Sequence, residues 1–136
     1  MSESRPEAVM RTYLTEVLDQ RKFELIPEFA ASDMVDHTQP IRGPAGLDAH
    51  ARGFCDNIPD LEIEVVRIFA TEDTAVGLWR WRGNPQQPHG YSASGNPVSP
   101  RFIASIFEFK DGMLVDYRAF VDAVDIISQL ADSPNP

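Results

Sequence analysis

The sequence predicts an α+β fold, a cone-shaped barrel in which a curved antiparallel sheet wraps around N-terminal helices. Two periodicities carry this prediction: apolar residues recur at helical spacing early in the chain, and they alternate with polar residues in several later segments. The dipeptide Asp111-Gly112 between two alternating segments is typical of a tight hairpin turn. A twisted sheet wrapped around a long first helix forms a cone that is open at one end.

The helices are predicted from their caps and apolar stripes. The stretch "SRPE" has the form of a capping box, in which the Ser4 hydroxyl accepts a hydrogen bond from the Glu7 amide, so the first helix begins there. A short second helix must be kinked or broken by Pro27, and Gly43 followed by proline starts a third helix. The stripes of the first and third helices contain Val9, Met10, Tyr13, Leu14, Val17 and Leu18, then Leu47, Ala51, Phe54 and Ile58.

Five segments are predicted to be strands. "DMVDH" is short, whereas "LEIEVVRIFA", "AVGLWRWRG", "RFIASIFEF" and "MLVDYRAFVD" are longer and alternate with period two. The segment "PQQPHGYSASGNPVSP" is expected to form a long loop over an opening, and "AVDIISQL" is expected to close the chain as a helix. Helices therefore come first, and one sheet follows.

Composition limits the possible functions. Hydrophobic residues make up 43% and charged residues 24% of the 136 residues, which fits a single globular domain over 1–136 with an ordered core at about 4–131. The net charge of -9 repels phosphate backbones and anionic membranes, so neither is expected as a partner. The single cysteine, Cys55, excludes an internal disulfide. The first residues lack a signal-peptide apolar region, so a cytoplasmic location is expected.

The last strand carries charges on one face. Side chains alternate along a strand, so Asp116, Arg118 and Asp122 share a face, while Tyr117 and Val121 share the other. The charged face needs water, partners or a ligand, and we predict that it lines a cavity. The Cα atoms of Arg118 and Asp122 are ~13 Å apart on this geometry, which leaves room for a small ligand. The other face is expected to pack in a dry core or a subunit interface.

Arg118 and Asp122 also have a purely structural interpretation. Asp122 lies just before the last helix, where aspartate is a favoured N-cap. Arg118 can form an ion pair with Asp116 at the rim of the sheet, and surface pairs of this kind contribute little to stability. The sequence leaves both alternatives open.

The histidines and tryptophans are further candidates. His37 can shuttle a proton near neutral pH, or it can simply be hydrogen-bonded at a strand end. His50 lies beside the buried stripe of the third helix, as a tolerated helix residue or as part of a pocket wall. Trp79 and Trp81 point the same way along their strand, towards a pocket or an interface. The histidines share no helical spacing, so no metal site is predicted.

Three segments in sequence carry a resemblance to a known family: "MVDHTQPIRGPAGLDAH", "NIPDLEIEVVRIFATEDTAVGLWRWRG" and "FEFKDGMLVDYRAFVDAVDIISQL". From about Val9 to Leu130 the chain resembles the SnoaL-like polyketide cyclases of the nuclear transport factor 2-like superfamily. The resemblance implies the cone-shaped fold, an apolar pocket, no cofactor, and a homodimer formed through the outer face of the sheet.

The resemblance also implies roles for particular residues. An aspartate at the position of Asp122 is the acid/base of the cyclases, His37 occupies the place of the base in the related isomerases, and Tyr13 matches their tyrosine donor. Arg118 stands where the cyclases usually carry tryptophan. The expected catalytic residues are therefore Asp122 and His37, and the substrate-binding residues are Tyr13, Arg118, Trp79 and His50.

The function expected from this resemblance is acid/base catalysis without a cofactor. The substrate would be an apolar carbonyl compound held in the cone, and the reaction an aldol-type cyclisation or an isomerisation by a lyase or isomerase. An epoxide hydrolase-like enzyme and a non-catalytic module that binds a ligand or dimerises are the alternatives.

Overall fold

The computed structural model describes residues 3–86, 102–122, 124–125 and 128. The elements in chain order are a helix α1 (Arg5–Thr12), a π-helical turn (Tyr13–Leu18), a 3-10 helix (Phe23–Glu28), β1 (Ala30–Asp36), α2 (Pro44–Asn57), β2 (Glu62–Ala70), β3 (Thr74–Arg82), β4 (Ile103–Lys110) and β5 (Met113–Val121). The α+β class is confirmed. Most of the predicted long loop, including His89, and most of the closing helix lie outside the described residues.

The five strands form one sheet in the order β1-β5-β4-β3-β2. Strands β2 to β5 form an antiparallel meander, but β1 pairs with β5 in parallel, which differs from the all-antiparallel sheet that was predicted. A parallel pair requires a long connection, and α2 with the meander provides it. The sheet is curved and, over the described residues, does not close into a barrel.

The first helix begins as predicted and changes its winding where it reaches the sheet. The Glu7 amide donates to the Ser4 hydroxyl over 3.3 Å, which confirms the N-cap. From Tyr13 the helix widens into a π-turn, and the Asp19 amide bonds to the Leu14 carbonyl five residues back. In an α-helix residues five apart point ~140° away from each other. The wider π-turn brings the side chains of Tyr13 and Leu18 closer to the same face of the helix. Both side chains line the cavity that is described below.

The helix packs closely on the inner face of the sheet because of a glycine. A Cβ atom at Gly77 in β3 would lie 2.8 Å from the sulfur of Met10 and 3.1 Å from Leu14. The missing side chain therefore allows α1 to approach the sheet. The core on this inner face includes fully buried Tyr13, Leu47, Ile58, Phe107 and Leu114.

The outer face of the sheet is apolar in its centre. Val76 and Leu78 of β3 and Ala104 and Ile106 of β4 point outwards and are partly exposed, and Phe120 of β5 is 57% exposed. No helix of the described residues covers these side chains. Within the same residues, no helix is long and apolar enough to cross a membrane.

Candidate active site

A cavity of about 580 Å³ opens between α2 and the inner face of the sheet. Its walls are mainly aromatic: Phe54 of α2 meets both Trp79 and Trp81 edge to face, at ring-centroid distances of 5.9 and 5.7 Å. Tyr13 and Tyr117 line the inner part, and their rings also meet edge to face at 5.8 Å. Such walls suit a flat apolar ligand.

The prediction that the charged face of the last strand lines the cavity is wrong. Tyr117, Ala119 and Val121 line it instead. The pairing with β4 decides this, because Tyr117 lies opposite Phe107, and residues directly opposite in an antiparallel pair share a face. Phe107 is fully buried, so Tyr117 must also point inwards.

Arg118 and Asp122 therefore lie on the outer side of β5. The Arg118 side chain is 53% exposed and its Nε lies 3.5 Å from a carboxylate oxygen of Asp116, as in the structural alternative. Asp122 is exposed, and its Oδ1 accepts a hydrogen bond of 3.0 Å from the Asp125 amide, which is an N-cap contact. Neither residue lines the cavity, so the geometry lends no support to a role for them in its chemistry.

His37 is also held outside the cavity. Its Nε2 lies 2.8 Å from the second carboxylate oxygen of Asp116, and the imidazole is 39% exposed. Asp116 thus bridges His37 at the end of β1 and Arg118 of β5. This is a surface cluster that joins two neighbouring strands.

His50, in contrast, faces the cavity and is held by a buried carboxylate. Its Nδ1 lies 2.8 Å from Oδ2 of Asp36, and the Asp36 side chain is only 1% exposed. The other oxygen, Oδ1, accepts from the Thr38 amide over 2.9 Å and from the Thr38 hydroxyl over 2.6 Å. The imidazole stacks on Tyr117 at 5.5 Å between ring centroids. Asp36, Thr38 and His50 thus form a connected group at the cavity wall.

The electrostatics of this group define the tautomer of the histidine. Burial raises the pKa of Asp36, but the hydrogen bonds from His50 and Thr38 lower it by more, so the net pKa lies below its ordinary value. An ionised carboxylate can only accept, so His50 must donate from Nδ1. In the neutral imidazole the lone pair is then on Nε2, and His50 lines the cavity.

The role of Asp36 was missed at the level of sequence, although a signal existed. Side chains alternate along β1, and apolar Met34 is fully buried, so Asp36 two positions later must point inwards and His37 outwards. In "VDH" the aspartate is therefore the inward-facing residue, and the histidine that was predicted to be catalytic is not.

The phenols of Tyr13 and Tyr117 line the cavity, and the fully buried Ser105 lies behind this wall. The Trp79 indole donates to the Ser105 hydroxyl over 3.0 Å, and that hydroxyl lies 3.4 Å from the Tyr117 hydroxyl. Burial raises the pKa of Tyr117 to about 12 and that of Tyr13 well above its usual value. Both phenols therefore remain protonated at neutral pH and are able to donate hydrogen bonds.

Metal-binding clusters are absent from the part of the chain that the structure describes. Cys55 is fully buried, and its thiol donates to the Leu18 carbonyl. Burial raises the pKa of this thiol to about 11, so it is a structural residue and not a nucleophile.

Comparison with known proteins identifies the family. A model of the SnoaL-like polyketide cyclase family matches residues 8–130. The chain belongs to this family. No curated protein sequence matches the chain.

Solved structures share the fold over nearly the whole chain. TsrD from Streptomyces laurentii is 20% identical with a TM-score of 0.81, covering 96% of this chain and 97% of its own. A SnoaL-like polyketide cyclase from Agrobacterium tumefaciens is 15% identical with a TM-score of 0.80, covering 95% and 99%. An LEH-like epoxide hydrolase from M. tuberculosis is 16% identical with a TM-score of 0.68, covering 93% and 85%. At these identities the likeness establishes the nuclear transport factor 2-like fold.

We expect the stability difference between the wild type and an Asp36→Asn variant to shrink at acid pH. The pKa of Asp36 is lower in the folded than in the unfolded protein, so its stabilisation is complete above the unfolded value of ~3.9 and is lost as pH falls through the folded value. At pH 7 the variant should lose about 1–3 kcal/mol, because the hydrogen bonds to a buried carboxylate are replaced. Urea unfolding from pH 7 down to pH 3 measures the difference, and a difference independent of pH contradicts it.

We expect Asp122→Ala to destabilise the protein by about 0.5–2 kcal/mol, because the hydrogen bond to the Asp125 amide is lost. Asp122→Ser retains a capping oxygen and should recover most of this loss. Thermal unfolding of the two variants and the wild type is the measurement. Equal stability of all three would show that the cap contributes nothing.

Proposed function

We propose that this protein is an enzyme that needs no cofactor and catalyses an aldol-type cyclisation or an isomerisation of a neutral, apolar carbonyl compound. His50 is the general base and later the general acid, and Asp36 orients it. The observation that carries the proposal is the 2.8 Å bond between Asp36 and Nδ1 of a histidine that lines an aromatic cavity. A buried carboxylate behind a histidine strengthens its basicity and stabilises the imidazolium that forms.

The reaction requires only proton transfers and carbon–carbon chemistry. Nε2 of His50 removes a proton next to the carbonyl, the electron pair of the C–H bond forms the enolate double bond, and the carbonyl oxygen becomes an oxyanion. In a cyclisation, the enolate carbon attacks a second carbonyl of the same molecule, and the new alkoxide takes the proton from His50. In an isomerisation, the proton returns to a different carbon. Every atom and electron is conserved, so no redox partner is needed.

The cavity supports a neutral substrate. Among the described residues that line it there is no lysine, arginine, aspartate or glutamate, and the polar groups are mainly hydroxyls and the imidazole. With a net charge of -9, the protein also repels anionic compounds. Trp79, Trp81 and Phe54 would hold a planar ring system between them.

We expect His50→Gln to lower the rate of proton removal by about 10²–10⁴-fold, the usual contribution of a general base. The assay is exchange of the α-protons of neutral aromatic β-keto esters in D₂O, followed by proton NMR, which requires no knowledge of the final product. His37→Gln is the matched control and should retain the rate, because His37 contacts Asp116 outside the cavity lining.

The same experiment distinguishes the alternatives. A His50–Asp36 pair is also able to activate water, so the substrate panel includes aryl epoxides, and diol formation that depends on His50 would favour the epoxide hydrolase. Exchange no faster than in buffer for every compound, together with binding of the compounds, would favour a non-catalytic module. Loss of exchange in His37→Gln or Asp122→Asn alone would favour the residues implied by the family resemblance.

We further propose that the outer face of the sheet pairs with a second copy of the chain. The apolar centre formed by Val76, Leu78, Ala104, Ile106 and Phe120 is contiguous, because these residues lie opposite one another on neighbouring strands. Contiguous apolar surface of this kind is typical of an interaction site. Charges of both signs surround it, with Arg80 paired to Glu64 and Arg118 near Asp116. A rim with both signs is suited to contact its own copy across a two-fold axis.

We expect the wild type to have the mass of two chains in light scattering and Ile106→Glu to have the mass of one, because a buried unpaired charge opposes association. Ala45→Glu, at an exposed position of α2, adds the same charge away from the sheet and should leave the mass unchanged. A wild type with the mass of a single chain over the micromolar range would contradict this proposal.

A further inference from the structure

One glycine of the cavity wall has no local structural reason. Gly53 lies inside α2, where glycine destabilises a helix relative to alanine because it loses more conformational freedom. Its backbone is helical, so it does not need the left-handed conformation that favours glycine. A Cβ atom at Gly53 would have no described heavy atom within 4 Å, apart from its chain neighbours and the backbone of its own helix. Close packing therefore does not require a glycine here either.

The other glycines of the described chain differ from Gly53 in this respect. Gly43 and Gly112 have positive φ angles of 80° and 79°, which an L side chain rarely adopts. At the remaining three, an added Cβ atom would come closer than 3.0 Å to another atom: Gly46, Gly77 and Gly83. Of the described glycines, Gly53 is thus the one whose missing side chain neither the backbone nor the packing explains.

Position 53 lies within the face of α2 that lines the cavity. The helix residues that line it are Ala49, His50, Gly53, Phe54 and Asn57. At ~100° per residue they cover an arc of ~140°, with Gly53 ~40° from one edge and ~60° from His50. Gly53 is exposed. A side chain at position 53 would therefore project into the opening between α2 and the sheet.

The open space at Gly53 adjoins the proposed base. Residues three apart are neighbours on a helix surface, with Cβ atoms ~5–6 Å from each other, so position 53 lies beside His50. The cavity of about 580 Å³ is within the ~300–1,000 Å³ of sites that hold ligands larger than a single ring. A ligand of that size with its carbonyl at His50 would extend along α2 and cover Gly53.

We propose that Gly53 is a specificity-determining residue, whose missing side chain lets a bulky part of the substrate lie on the backbone of α2 next to His50. This inference rests on the proposed function and adds the class of substrate, a carbonyl compound with a large apolar group beside the reacting carbon. A small carbonyl compound fills only part of the cavity and does not need this space. The helix keeps a less favourable residue here because any side chain would compete with the large group.

The test compares a small and a large ligand at variants of position 53. Acetophenone and 2-acetylnaphthalene carry the same ketone on one ring and on two fused rings, and isothermal titration calorimetry gives their Kd values. In Gly53→Leu we expect the affinity for 2-acetylnaphthalene to fall about ten- to a hundredfold, as for overfilling of a packed site. The affinity for acetophenone should change less than about threefold. Gly53→Ala should lie between the wild type and Gly53→Leu.

Ala45→Leu is the matched control. It adds the same side chain at an exposed position of α2 outside the cavity lining, and should leave both Kd values unchanged. Gly53→Ala should also raise Tm by about 2–4 °C, because alanine has less conformational freedom to lose on folding. A lower Tm in Gly53→Ala would show that the helix itself needs the glycine, and would overturn the inference.

The two proposals fail in different ways. Calorimetry involves no proton removal, so selective loss of 2-acetylnaphthalene binding in Gly53→Leu supports the inference whether or not His50 is a base. Equal affinities of the wild type and Gly53→Leu for both ligands would overturn it, even if exchange is lost in His50→Gln. An equal loss for both ligands would overturn it too, because the leucine would then have closed the cavity without selecting by size. So would a wild type that binds neither ligand.

Discussion

The site depends on one buried carboxylate. Removing an ionised aspartate from water costs several kcal/mol unless its oxygens are hydrogen-bonded, and in Asp36 each oxygen has a partner. Thr38 satisfies one oxygen from the chain just after β1, and His50 satisfies the other from α2. The need to satisfy this charge therefore links β1 to α2 and determines where the imidazole lies.

That link gives the cavity two chemically different sides. Helix α2 contributes the imidazole, while the sheet contributes the phenol of Tyr117. The Tyr117 hydroxyl lies near the buried Ser105 hydroxyl, which accepts a hydrogen bond from Trp79. The stacked rings of His50 and Tyr117 are the point where the two sides meet. A proton acceptor and a proton donor within one aromatic pocket are the minimum that enolate chemistry requires. The fold supplies both without placing any charged residue of the described chain in the cavity lining.

The charged residues at the outer side of the last strand form surface contacts. Asp116 bridges His37 and Arg118 on the outer side, where β1 and β5 pair in parallel. Exposed pairs of this type contribute little to stability individually. Family membership is thus compatible with the proposed role of His50, because the fold carries many chemistries on one scaffold.

Local signals in the sequence were sufficient for most of the fold. The Ser4 cap, the stripe from Val9 to Leu18 and the period-two segments that became β2 to β5 all depend on neighbours in the chain, so pattern analysis could find them. Trp79 and His50 were candidates from their places in the pattern and Tyr13 from the family resemblance, and all three line the cavity. Sequence alone could not give the parallel pairing of β1 with β5, since that contact joins distant segments.

Only the tertiary structure shows which face of the last strand points into the protein. Both faces of "VDYRAFVD" mix apolar and polar residues, so alternation defined two faces without saying which is inside. Pairing Tyr117 with buried Phe107 resolved this, and one consequence is that Arg118 and Asp122 point outwards. The sequence by itself determined the fold class, because that follows from periodicity. It placed Trp79 and Trp81 on one face of their strand without deciding between a pocket and an interface. The tertiary structure decided which histidine faces the cavity and which carboxylate holds it, because the bond between Asp36 and His50 joins a strand and a helix whose meeting no local pattern predicts.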